Sequence, residues 1–124
     1  MALLSDSAET LLATKTGVDM KTAAGTTLYT TPVGKVTRIT KIVVRDPSAT
    51  LAGGTSYSLT GWGTAFSLAT LVTANTGFVT VTFAAATAPT ECTEIAAATN
   101  VVFTVTTGST GAATAVIDVF GYTT

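Results

Sequence analysis

The chain has 124 residues, a formal net charge of −1 and a pI near 5.0. That length suits one domain with its own core, and that charge argues against nucleic acid as a principal partner. Only 10% of residues are charged, against about 25% in ordinary soluble domains, and no histidine is present to serve as general base or metal ligand.

Residues 1–24 differ in character from the rest. MALLSDSAETLLATK has acids where a secretory signal has early lysines, and its apolar runs are short. Asp6 followed by Glu9, with Leu11 and Leu12 within a turn, resembles a capping box and predicts a short helix near Ser7–Thr14. The alternative is an extended arm lying on a neighbour, carrying Leu3, Leu4, Leu11 and Leu12 as contacts. Gly17 marks a boundary, and the expected division is an arm over 1–24 and a β domain over 25–124.

From Val18 onward the pattern is β. Val18–Thr22 reads as a short edge strand, Thr26–Thr30 as the next, and Pro32–Gly34 as a turn. Between Val36 and Val44 stand seven β-branched residues, which fit a pleated sheet better than a helix. Lys35, Arg38, Lys41 and Arg45 recur at three- and four-residue spacing, as on a helix, but the β-branched density decides for a strand. On a regular strand Lys35, Lys41 and Arg45 share one face and Arg38 takes the other. This stripe either docks onto an acidic surface or pairs within the molecule, with Asp118 or the Glu91/Glu94 loop.

Positions 47–90 hold no charged residue, and such a β-rich stretch needs its edges covered by a partner or a symmetric assembly. Thr55–Thr60 alternates, and Gly61-Trp62-Gly63 carries the only tryptophan. Trp62 is read either as an exposed ring that stacks on a sugar or anchors an interface, or as a ring folded back over the core. Ala65–Val72 has no clear period. Phe78–Phe83 alternates, with Val79, Val81 and Phe83 inward, and Ala84–Ala88 before Pro89 reads as loop or edge. Val101, Phe103 and Val105 share a face. Ala113–Tyr122 is apolar on both faces, through Ala115, Ile117 and Val119 and through Val116, Phe120 and Tyr122, as a strand buried between sheets or against a neighbouring subunit would be. Seven or eight short strands at this spacing give an all-β antiparallel β-sandwich or jelly roll.

Catalytic patterns are thin. Cys92 has no histidine to activate it and reads as a small buried hydrophobe or inert thiol. Glu91 and Glu94 are close enough to suggest glycoside hydrolysis or a hard cation, but a solvated loop edge explains them more simply. Gly34-Lys35 resembles the end of a P-loop, yet Val36 and Tyr29 stand where a hydroxyl residue and a glycine are required. The expectation is a protein without enzymatic activity, cofactor or metal. No apolar stretch reaches the ~20 residues of a membrane span, so no membrane partner is expected.

The run TLYTTPVGKVTRITKIVVRDPS, the segment TSYSLTGWG and the closing EIAAATNVVFTVTTGSTGAATAVIDVFGY resemble small structural proteins of tailed bacteriophages. The shared pattern is an LYT-x-P-x-GK entry strand, a long Ile/Val strand, an E-[IL]-A-A turn and a V-x-G-Y closing strand. The resemblance implies a jelly-roll-like fold, a homotrimer and a place on the virion as a head decoration (cement) protein. It implies the major capsid protein as partner and the outer capsid surface as location, after assembly in the host cytoplasm. The expected contacts are Leu3, Leu4, Leu11, Leu12, Lys35, Arg38, Lys41, Arg45, Trp62, Phe120 and Tyr122. The competing reading is a receptor- or glycan-binding sandwich of a tail or fibre that presents Trp62.

Overall fold

In the computed structural model, residues 9–62, 65–72, 77–82 and 94–124 are described. Leu3, Leu4, Phe83, Ala84–Ala88, Glu91 and Cys92 lie outside the described residues. Among the described residues seven strands follow one another: β1 (Thr10–Asp19), β2 (Gly25–Thr30), β3 (Thr37–Arg45), β4 (Ser56–Leu59), β5 (Phe78–Thr82), β6 (Asn100–Thr107) and β7 (Thr114–Thr123). They form two antiparallel sheets, a four-stranded one in the order β1-β7-β3-β5 and a three-stranded one in the order β2-β6-β4.

The pairing is nested. β1 pairs with β7, β2 with β6 and β3 with β5, and β4 meets the following segment through a single bridge, Tyr57 to Phe66. The chain is thus one long hairpin turned back between β4 and the Phe66 segment, with its pairs dealt alternately to the two sheets.

Period-two alternation explains the core. Ile39, Ile42 and Val44 of β3 and Ala115, Ile117 and Val119 of β7 face inward, opposite Tyr57 and Leu59 of β4 and Val101, Phe103 and Val105 of β6. Fully burying a side chain of this kind contributes roughly 1.5–3 kcal/mol, so these rows dominate stability. Leu51, Leu68 and Leu71, from connections without a regular period, are buried in the same core. The faces read for Val101, Phe103 and Val105 and for Ala115, Ile117 and Val119 hold.

Three expectations need correction. From Thr10 on, the expected helix is a strand: residues 10–19 form β1, whose Val18 is buried and whose Leu12 and Ala13 pack against the core. The segment gains more from a ladder on β7 than a two-turn helix could gain alone. Gly17 is not a boundary but a bulge residue at φ +65°, where the register shifts between Lys15 and Val18. Of the two readings of Trp62, the ring folded back over the core is the one observed, since it is buried. Its indole N–H donates to the Ile39 carbonyl at 2.9 Å, and its ring meets Phe66 edge-on at 5.6 Å.

The third correction concerns β3. A register shift between Ile39 and Lys41 resets the alternation, so Arg38, Lys41 and Arg45 all stand on the outer face, opposite Tyr122, Phe120 and Val116. Arg38 therefore joins the other two. Lys35 lies before the strand, exposed in the turn beside Gly34. Gly121 permits the irregularity: a Cβ there would run into the Arg38 carbonyl and crowd the Ile39 backbone.

Candidate docking face

The outer face of the four-stranded sheet gathers residues from across the chain. Leu11 of β1 stands opposite Phe120 of β7, which stands opposite Lys41 of β3. The next row runs Thr14, Asp118, Val43, Thr80, and the one after it Val116, Arg45, Phe78. Leu11 is 54% exposed and Phe78 69%, while Val43, Val116, Phe120 and Tyr122 are half-buried. The result is an aromatic and aliphatic patch interrupted by charge.

That charge is largely neutralised in place. The Arg45 guanidinium donates to Asp118 at 2.8 Å and to Asp46 at 2.8 Å. Asp118 also accepts from the Thr14 hydroxyl at 2.8 Å, which fastens β1 to the sheet. The Arg45 hydrogen bond, then the one from Thr14, hold the Asp118 carboxyl below the usual carboxylate range. Lys41 pairs with Glu9 at 3.4 Å and lies over the Phe120 ring, 4.8 Å from its centroid. Thr40 hydrogen-bonds the same Glu9 carboxylate. Arg38 reaches Glu94 at 3.3 Å.

Both internal partners read from the sequence, Asp118 and Glu94, are therefore engaged. Glu9 is the partner that sequence reasoning misses, because its spacing from Asp6 reads as a helix cap. Its only signal was its place one residue before a strand that runs beside Phe120. Lys35 makes no ion pair among the described residues, and with Val33, 86% exposed, it forms a protruding turn away from the strands.

Of the predicted contacts, Leu11, Arg38, Lys41, Arg45, Phe120 and Tyr122 come together on this face. Leu12 packs toward the core, Lys35 sits apart, and Trp62 is inside. Among the described residues no pocket opens and no three acidic or sulfur side chains gather as a metal would require. The chain matches no family model, and neither curated proteins nor solved structures give a match.

Proposed function

We propose that this chain is a non-enzymatic structural protein of a tailed-phage virion, a head decoration protein that binds the major capsid protein through the outer face of its four-stranded sheet. The observation that carries the reading is that face: Leu11, Phe120, Val43, Val116 and Phe78 form an apolar surface among ion pairs already closed within the molecule. Such a surface contributes affinity by burying apolar area while its charges stay satisfied. The internal pairing of Arg38, Lys41 and Arg45 favours an apolar contact over docking on a strongly acidic partner.

Two further points support the reading. Nested pairing of β1 with β7, β2 with β6, β3 with β5 and β4 with the Phe66 segment is what wrapping a long hairpin into a jelly roll generates, an architecture common in viral capsid domains. The resemblance of residues 25–122 to phage structural proteins points the same way and implies a place on the outside of the head. The glycan-binding alternative loses its anchor, since Trp62 is enclosed and its N–H is committed to Ile39.

The test is co-sedimentation of the purified chain with expanded heads built from the major capsid protein of the same virion. Leu11→Glu places an unpaired charge on the face at an exposed position and should weaken binding by at least about tenfold, with an unchanged circular dichroism spectrum. Equal binding of the variant and the native chain would refute the assignment of this face.

A further inference from the structure

A sandwich leaves four strand edges, and in this molecule they are not alike. The β2 edge carries a register shift between Thr27 and Tyr29 and packs near β1. The β4 edge is met by the Phe66 bridge. The β1 edge is broken by two shifts, by Gly17 at positive φ, and by exposed Lys15. These are the usual means of blocking a further strand.

β5 has none of them. Its ladder on β3 runs from Phe78 opposite Arg45 to Thr82 opposite Lys41 without a shift. The segment FVTVT contains no charge, proline or glycine. The Asp46 N–H donates to Gly77 O at 3.2 Å, and this sets the phase of the ladder. Val79 and Val81 exchange hydrogen bonds with Val44 and Ile42, while Phe78, Thr80 and Thr82 turn their N–H and C=O groups to the free edge. Among the described residues no partner meets those groups.

We infer that β5 pairs with β5 of a second copy of this chain, antiparallel, about a two-fold axis through Thr80. The strand's own sequence selects that occupant. FVTVT reads nearly the same in both directions, so antiparallel pairing about Thr80 sets Val79 opposite Val81 of the second copy and Phe78 opposite Thr82. Apolar residues then meet apolar ones on the core side. The outward-turned groups of Phe78, Thr80 and Thr82 fall into the hydrogen-bonded positions, so each edge group finds a partner. Two four-stranded sheets thereby join into one continuous sheet, and the exposed Phe78 ring gains a neighbouring strand. The contact is isologous and closes on itself, so it does not propagate into a filament. It needs no capsid, and it stands whether or not the decoration reading does.

The full chain tests this in solution by native mass measurement over a dilution series, paired with hydrogen exchange at single amides. The particle should contain an even number of chains. The Thr80 amide should be protected in the assembly and exchange rapidly after dilution, while the Val79 and Val81 amides stay protected throughout. Thr80→Lys sets two like charges against each other across the axis at an exposed position; it should weaken the association at least about tenfold and halve the particle mass with the thermal midpoint of the separated chain unchanged. An odd-numbered assembly, a Thr80 amide that exchanges freely at every concentration, or a Thr80→Lys particle of native mass would each overturn the proposal.

Discussion

The two edges of the four-stranded sheet solve opposite problems. β1 is long, irregular and tied down: Thr14 bonds Asp118, Glu9 pairs with Lys41, and two bulges bend the strand away from any newcomer. β5 is short, regular and uncharged, and among the described residues nothing meets its outer row of backbone groups. The difference teaches that edge protection is local. In a chain with only 10% charged residues, Lys15, the Glu9–Lys41 pair and Gly17 at positive φ stand at the β1 edge, whereas the FVTVT segment of β5 carries neither charge nor glycine.

The most severe way to break the comparison is to remove the protected edge. Deleting residues 1–17 strips most of β1, uncovers one side of β7 and takes Leu12 and Ala13 from the core margin. The shortened chain should unfold or aggregate on expression, as size-exclusion chromatography would register. A soluble, cooperatively melting product would mean that β1 is an accessory to the sandwich and not part of it.

A smaller change separates the two edges. Gly121 pairs with Thr10 on one side and Ile39 on the other, in close approach to the Arg38 carbonyl. Gly121→Ala should cost about 3 kcal/mol in urea unfolding, within the range of changes that force a packed backbone apart. Hydrogen exchange should rise in β1 and the end of β7 while Val79 and Val81 of β5 keep their protection. Uniform loss of protection would show that the edges do not behave independently.

The mildest test is acid. Asp118 titrates below its ordinary value in the folded state because Arg45 and Thr14 bond its charged form. A group of this sign adds stability that is full above its unfolded-state pKa, near 3.9, and is lost as pH falls through the depressed folded value. Asp118→Asn should therefore leave a shallower loss of stability below about pH 4. Asp19, lowered by the backbone N–H groups of Lys21 and Thr22, would supply part of the slope that remains. An acid limb as steep as that of the native chain would show that the Thr14–Asp118–Arg45 tether does not hold β1.

Much of the fold could be read from residues because alternation survives wherever strands are regular. Tyr57 and Leu59, Val101 to Val105, and Ala115 to Val119 announce their faces without help. Bulges are where reading failed. In TLLATKTGVD two register shifts erase the period, so β1 looked like an arm or a helix cap. In β3 the shift after Ile39 moved Arg38 to the face of Lys41 and Arg45. The helix-like spacing of those cations was thus a real signal of a shared face, produced by a bulged strand. The docking face itself was visible only as separate pieces, because its rows join residues such as Leu11 and Phe120 whose proximity depends on pairing between the two ends of the chain. Trp62 illustrates a different limit: glycine flanks mark a turn, but not whether the ring on it points out or in.

The nested pairing also sets a schedule. The Tyr57–Phe66 bridge closes a short loop, whereas the contact of the Thr10 hydroxyl with the Gly121 carbonyl spans 111 positions. Loop-closure entropy grows with separation, so each inner pair, once formed, shortens the effective loop that the next must close, and assembly is favoured from the fold-over point outward. The outermost partners are the last to meet. On the ribosome β1 emerges before the other six described strands and must wait for β7, the last of the seven to be made. Throughout synthesis the chain therefore carries an unpaired β1, and its bulges and Lys15 guard it then against wrong partners as much as they guard the finished edge.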